Sequence, residues 1–239
     1  LTWKSRKQLP AFKKLEQFSF DPIKLQSAYK EYVSNKTWDS LGNEYSSMCE
    51  TYTKLPSMFF EEKELEGVDR VCDIDWQKAS YQQLSLVEFD ENFSLDQRSE
   101  KSGTRWDTTI AKGNPKADER FFRKRHTDLP EYFHEVLDTI GSNIVHRTRF
   151  AKLSPKSKIK PHIDYNTEYG IRLHIPITTN SKCKFGARTE EGDKEIHFPV
   201  DGSVWYINPG LLHWAYNDGD EERVHMIISV DSQDILNAA

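Results

Sequence analysis

Cysteine is scarce, long apolar runs are missing, and there is no excess of positive charge over the whole chain. The three cysteines of the 239-residue chain, Cys49, Cys72 and Cys183, lie far apart without a C-x-x-C pair. That spacing argues against a disulfide framework and a structural zinc site, and points to reduced thiols. No stretch approaches the roughly 20 apolar residues that span a bilayer. The opening Leu1-Thr2-Trp3-Lys4-Ser5-Arg6 lacks the apolar centre of a signal peptide. A soluble cytoplasmic protein is the expectation; the first residue is not Met, which leaves room for a segment upstream. A net charge of -5 gives no global attraction to nucleic acid or to an anionic membrane, so the expected partner is a small-molecule or peptide substrate. The stretch from Arg147 to Lys160 holds six Lys/Arg and no acid. It reads as a solvated face, or else as a patch for an anionic substrate or partner.

What is present is core-forming mass: thirteen Phe, ten Tyr and six Trp, with 36% hydrophobic residues. That is enough for one sizeable core, and without internal repeats one domain over 1–239 is the economical reading. Asp21-Pro22 followed by apolar residues at 25, 28, 29, 32 and 33 predicts an opening helix with Asp21 as its cap. One strand is expected at Tyr81–Phe89, with Leu84 and Leu86 inward, and a polar lid loop over 95–125. Asp128-Leu129-Pro130-Glu131 resembles a capping box ahead of a helix with apolar residues at 132, 133, 136, 137 and 140. The period then switches to two. Short β-rich segments near 144–153, 157–164, 171–178, 183–187, 194–198, 203–207, 211–216 and 222–230 are separated by turn residues. The chain thus divides into a helix-containing region over 1–142 and a mainly β core, a jelly roll, over 143–231.

Mononuclear non-haem iron is bound by two imidazoles and one carboxylate on one face, which leaves positions open for other ligands. An H-x-D on a strand supplies two of the three, because residues two apart point the same way. With eight His and eighteen Asp the motif is cheap, and the chain has two: His126-Thr127-Asp128 and His162-Ile163-Asp164. Asp128 stands where a helix cap is wanted, which already accounts for it. His162 and Asp164 fall at the end of a predicted strand. His213 follows on the predicted strand 211–216, and Arg223 on the next one, across Asn217-Asp218-Gly219-Asp220-Glu221. A hairpin with this five-residue loop would bring Ala215 opposite Arg223 and put His213 and Arg223 on one face. A buried Arg can grip a carboxylate with two hydrogen bonds; the other reading of Arg223 is an exposed partner of Glu221 or Glu222.

Four blocks carry a family resemblance: Arg149-Phe150-Ala151-Lys152-Leu153 running on to Pro161-His162-Ile163-Asp164, then Gly170-Ile171-Arg172-Leu173-His174, then Gly202-Ser203-Val204-Trp205-Tyr206-Ile207-Asn208, then His213 and Asn217 with Arg223. The sequence from about 145 to 231 resembles the aspartyl/asparaginyl β-hydroxylase family of Fe(II)- and 2-oxoglutarate-dependent dioxygenases, which includes bacterial proline hydroxylases. The resemblance implies a double-stranded β-helix, with flanking helices, and Fe(II) held by His162, Asp164 and His213. It implies Arg223 on the distal carboxylate of 2-oxoglutarate, with Arg172 and His174 on the co-substrate or on a substrate carboxylate. The implied reaction consumes O2 and 2-oxoglutarate, hydroxylates an unactivated C–H of an amino acid or amino-acid residue, and yields succinate and CO2. Members acting on aspartyl and asparaginyl residues of folded domains tend to lack the acidic ligand. Asp164 therefore likens this chain to those acting on small amino acids, while Ala151 stands where some members have a small polar residue.

Trp205, Ile207, Trp214 and Tyr216 read as pocket wall or as simple core. His225, two residues past Arg223, reads as a group behind the site or as a hydrogen-bonded core histidine. Other readings of the whole are a metal-binding cupin-like module without turnover, and an oxygenase acting on a nucleobase or protein side chain that docks through Arg120–Arg125 and Arg147–Lys160. A carbohydrate-binding jelly roll would leave Arg223 and the H-x-D unexplained.

Overall fold

The computed structural model describes residues 4–40, 81–94, 119–164, 167 and 170–237. Its strands are β1 (Phe12–Ser19), β2 (Asp39–Ser40), β3 (Tyr81–Ser85), β4 (Val87–Phe89), β5 (Phe122–Arg125), β6 (Val145–Leu153), β7 (Ser157–His162), β8 (Ile171–Thr178), β9 (Cys183–Thr189), β10 (Gly192–Ile196), β11 (Ser203–Ile207), β12 (His213–Asn217) and β13 (Arg223–Val230). Two α-helices are α1 (Pro22–Val33) and α2 (Glu131–Ile140). Seven strands form one antiparallel sheet in the order β1-β11-β8-β13-β6-β3-β2, and four form a second in the order β10-β9-β12-β7. From β6 onward the chain changes sheet at each step except between β9 and β10. This is a double-stranded β-helix, the jelly-roll core expected from eight short alternating segments. Ile171–Thr178 and Ser203–Ile207 begin and end where the alternation places them.

Alternation also decides which face does what. On β8, Ile171, Leu173, Ile175 and Ile177 are wholly buried in the large core. Arg172 and His174, between them, face the other sheet. The large sheet's outer face receives both helices, so Leu25, Tyr32, Phe133 and Leu137 meet Phe150, Ile175, Met226 and Ile228 in one cluster. Each such side chain contributes about 1.5–3 kcal/mol by leaving water. Between the sheets lies a smaller apolar group, Phe185, Phe198, Ile207 and Ala215. The rest of that gap is polar. Gly202 sits at φ +79, and a Cβ there would strike the carbonyl oxygen of Phe20, so the turn into β11 admits only glycine.

Several expectations need correction. α1 does not open the fold: β1 precedes it, paired with β11 at the sheet edge. Its half-exposed, Lys-rich sequence has too weak a period to read. β1, β2 and β3 belong to the large sheet, so 142/143 does not bound the β structure. Tyr81–Phe89 is two strands, because the chain turns at Leu86 and β4 leaves the large sheet to pair with β5. The expected lid over 95–125 is not loop at its end, where a 3-10 turn at Glu119–Phe121 leads into β5; 95–118 lie outside the described residues. Cys49 and Cys72 do too, while Cys183 is a buried free thiol.

Asp128 does not cap α2. Pro130 holds the N-cap position and makes no side-chain bond; Asp128, two residues upstream, pairs with Lys36 instead. Nor do β12 and β13 form a hairpin. Ala215 pairs with Ile159 and Phe185, and Arg223 with Leu153, because the turn between them carries the chain from one sheet to the other. The parity argument thus fails, yet His213 and Arg223 still face one space, each from its own sheet.

Asp21 is a working cap: its Oδ1 accepts from the amides of Ile23 at 2.8 Å and Lys24 at 3.2 Å. Asp21→Ala should therefore lower unfolding stability by about 1 kcal/mol, while Asp128→Ala, which removes an exposed ion pair, leaves the urea midpoint nearly unchanged. Equal losses in the two variants would refute this assignment of the caps.

Candidate metal centre

His162 ends β7 and His213 begins β12, and the two are register partners, so their rings meet with centroids 4.2 Å apart. Asp164 lies past the end of β7. Strand alternation does not aim it; its backbone N–H donates to the carbonyl of Pro209 at 3.0 Å, which ties it to the loop that leads into β12. His162 Nε2 is 3.5 Å from Asp164 Oδ1, and His213 Nε2 is 3.5 Å from Asp164 Oδ2. The three donor atoms lie within 4.8 Å of one another, and this is the one such group of three His, Cys, Asp or Glu among the described residues.

The tautomer of His213 follows from its other nitrogen. Nδ1 is 2.8 Å from the carbonyl oxygen of Leu211, which can only accept, so Nδ1 carries a proton and Nε2 is the nitrogen turned toward Asp164. Either a second ring proton or a metal cation can stand between that nitrogen and the carboxylate, and two imidazoles with one carboxylate are donor types that a divalent metal takes. The donor set therefore fits a divalent metal ion with open positions. Burial pushes the Asp164 carboxyl up, but Arg172, the contact with His213 and the nearby His162 outweigh it and hold the group well below the usual carboxylate range. It is an anion at neutral pH.

The same cavity is lined by Arg149, Arg172, His174 and Arg223. Arg223 is 3% exposed, and its Nε has no hydrogen-bond partner among the described residues. Arg172 pairs with Asp164 through one terminal nitrogen and lies 3.8 Å from Glu119 Oε2 through the other. His174 is 4% exposed and sits 3.3 Å, Nδ1 to Nδ1, from His225. All six residues singled out from the sequence, His162, Asp164, Arg172, His174, His213 and Arg223, thus line one space. His126 is elsewhere: its Nδ1 meets the Tyr32 hydroxyl at 2.7 Å. Of the aromatic and apolar candidates, Ile207 and Trp214 line the cavity. Trp205 belongs to the small inter-sheet cluster, and the Tyr216 hydroxyl donates to Glu195.

Sequence reasoning missed Arg149 and Glu119. Arg149 shares the inner face of β6 with Ala151, a period-two signal hidden in a run that reads as solvated Lys/Arg. Glu119, 4% exposed, bonds Arg147 at 3.3 Å from the end of a stretch that reads as loop. Two asparagines hold the frame. Asn208 donates to the Arg6 carbonyl at 2.9 Å and accepts from Gly210 N–H at 3.1 Å, which fixes the loop before His213. Asn217 donates to the carbonyls of Leu153 and Glu221 at 3.2 and 2.7 Å, which fixes the crossing turn before Arg223.

Burial, then nearby guanidiniums, hold the His146, His174 and His225 rings well below the usual imidazole range: Arg123 and Arg120 for His146, Arg223 and Arg172 for His174, Arg223 for His225. The unfolded chain protonates these rings near pH 6.5 and the folded chain does not, so below that pH the unfolded state binds more protons. Stability is fully present above about pH 6.5 and falls as pH drops, by about 1.4 kcal/mol per pH unit for each ring. Urea unfolding at pH 7.5, 6.5 and 5.5 measures this, and a flat profile would contradict buried neutral rings.

Among solved structures, the chain is similar to a 2OG-Fe(II) oxygenase family oxidoreductase from Burkholderia pseudomallei, at 13% identity over 64% of this chain and 68% of that one, with a TM-score of 0.36. It is also similar to a cupin domain from Bordetella pertussis Tohama I, at 19% identity over 37% and 83%, with a TM-score of 0.29. A third likeness is to the oxalate decarboxylase of Bacillus subtilis, at 17% identity over 37% of this chain and 22% of that one, with a TM-score of 0.31. No curated protein matches. No helix among the described residues is long and apolar enough to cross a membrane. The sequence matches the aspartyl/asparaginyl beta-hydroxylase family over residues 36–233, which take in every element from β2 to β13 and the whole of the cavity described above. With a match of that extent, the chain belongs to the aspartyl/asparaginyl beta-hydroxylase family and is a hydroxylase-type oxidoreductase.

Proposed function

We propose that the protein is an Fe(II)- and 2-oxoglutarate-dependent dioxygenase that hydroxylates an unactivated C–H of an amino acid or amino-acid residue, with succinate and CO2 as co-products. The observation that carries the reading is the meeting, in one cavity, of the ligand atoms of His162, Asp164 and His213 with the buried guanidinium of Arg223. When bound, Fe(II) supplies the redox chemistry by which O2 and 2-oxoglutarate oxidise the substrate.

The chain's own residues bind, orient and exclude. The Leu211 carbonyl keeps His213 Nε2 turned inward by holding the proton on Nδ1. Arg223 offers a planar, permanently charged fork to the far carboxylate of 2-oxoglutarate, and burial strengthens that grip by removing competing water. Arg172 and His174, neighbours on the inner face of β8, hold the near carboxylate or that of the substrate. Ile159, Phe185, Ile207, Pro209, Trp214 and Ile227 form an apolar wall that keeps water from the reacting groups. Asp164 likens the chain to family members that take small amino acids, and a free amino acid or a short peptide is the substrate class proposed.

The test combines metal content, anaerobic 2-oxoglutarate titration of the Fe(II) protein with its weak visible band, and succinate release under O2. Asp164→Ala should lose the metal. Arg223→Lys should keep it and bind 2-oxoglutarate more weakly by about 1.5–3 kcal/mol, the scale of a lost charge-assisted hydrogen bond. Unchanged affinity in that variant, with loss only in Arg172→Lys, would move the anchor to β8. Bound metal without any succinate would make the protein a metal-binding module instead.

A further inference from the structure

Glu119 is 4% exposed, faces two guanidiniums and has an oxygen to spare. Its Oε2 accepts from Arg147 Nη1 at 3.3 Å and lies 3.8 Å from Arg172 Nη2, while its Oε1 is buried with no hydrogen-bond partner among the described residues. Two features hold it there. The 3-10 turn that carries it, Glu119–Phe121, is tied down by Arg123, whose Nε donates to the Arg120 carbonyl at 2.7 Å and whose Nη2 pairs with Asp231. On the other side, β6 takes one residue more than β13 between the partners Arg149 with Ile227 and His146 with Ser229, and Arg147 stands in that bulge at φ +30. A bulge re-aims a side chain; here Arg147 leaves the alternation of its strand to meet Glu119.

A buried carboxylate oxygen without a donor is costly, and folded proteins keep few of them. A donor within reach is Arg172, which pairs through Nη1 with Asp164 and turns Nη2 toward Glu119. Hydrogen bonds close at about 2.7–3.2 Å, so Arg172 is engaged with Asp164 and held in readiness by Glu119. Arg172 loses its first partner when Asp164 serves a divalent cation beside His162 and His213. The guanidinium stays charged and, inside a buried site, needs another carboxylate. A movement of about 1 Å brings it onto Glu119. With five N–H donors, it keeps an edge for an incoming carboxylate.

We infer that Glu119 is a positioning residue of the metal centre: it receives Arg172 when Asp164 turns its charge to a metal, so the centre fills without stranding a buried guanidinium. Without that charge, Arg172 holds Asp164 and opposes the cation. The inference rests on the reading of His162, Asp164 and His213 as a metal site.

Mn(II) binding to the metal-free protein, followed by the EPR signal of free Mn(II), tests this without turnover. Glu119→Gln keeps an oxygen for Arg147 but drops the charge, and should weaken Mn(II) binding by about tenfold, the middle of the range for coupling between neighbouring groups. Arg172→Met removes the competitor and should bind Mn(II) at least as tightly as wild type. Adding Glu119→Gln to that variant should change affinity by less than about twofold, and Arg147→Met alone should stay within about twofold of wild type. A role confined to folding would instead give the same loss with or without Arg172. That result would overturn the inference, as would wild-type affinity in Glu119→Gln or a comparable loss in Arg147→Met. Should Glu119→Gln not fold, Arg172→Met decides: Mn(II) binding weaker than in wild type would show that Arg172 does not compete for Asp164. Wild-type protein that takes up no Mn(II), or uptake that survives Asp164→Ala, would remove the metal reading and this inference with it.

Discussion

Two imidazoles and a carboxylate converge on one point, and much of the structure around His162, Asp164 and His213 holds them there. Register sets the two imidazoles side by side. A carbonyl, that of Leu211, fixes the tautomer of one of them, and another, that of Pro209, anchors the aspartate beyond its strand. Behind Pro209, Asn208 ties the loop to Arg6, and the Arg6 guanidinium returns a hydrogen bond to the Gly210 carbonyl at 3.1 Å. None of these groups faces the cavity's contents in place of the three donors. They supply the rigidity without which a shift of about 1 Å would cost a metal site its geometry.

The double-stranded β-helix makes this arrangement tolerable by giving the large sheet two different jobs. Its outer face, packed on α1 and α2, holds most of the apolar burial. The inner face is thereby released from the core and can carry Arg149, Arg172, His174, Arg223 and His225 between the sheets. Taking a guanidinium out of water costs several kcal/mol, and that cost falls on a face whose apolar neighbours, Phe185 and Ile207 among them, are few. Polar substitutions on the two faces of β8 consequently have different meanings: at Leu173 they break the core, at Arg172 they change what the cavity binds.

The period-two pattern after residue 143 was legible because each strand has one face in the large core, so a register slip would expose it. His162, Asp164, His213 and Arg223 were legible as residue types suited to one chemistry at workable spacings. What the pattern could not carry was which sheet each strand joins. Arg223 was placed on the right side of the cavity by a hairpin that does not exist, since two facing sheets and one hairpin can present the same pair of side chains to a common space. β1 and β5 escaped because edge strands rich in Lys and Arg lose their alternation. Arg149 was hidden for a related reason, since six basic residues in a row of strands look alike until burial separates Arg149, 4% exposed, from Lys156 and Lys158, which are exposed. Asp128 was misassigned by two residues, the distance by which Pro130 displaces the start of α2.

Charge links the cavity to the rest of the chain. Among the described residues that line it, three guanidiniums stand against the single carboxylate of Asp164. Arg172 spans two acids, Asp164 on the inside and Glu119 behind, and Glu119 also holds Arg147. A cation between His162, Asp164 and His213 would compete with Arg172 for the Asp164 charge, and Glu119 is the carboxylate that remains for Arg172 when it does. An anion entering beside Arg223 would meet the opposite situation, three guanidiniums against one carboxylate. A metal and a dicarboxylate in this cavity would thus favour each other through its charges: the first would free Arg172 from Asp164, and the second would accept from Arg172 and Arg223.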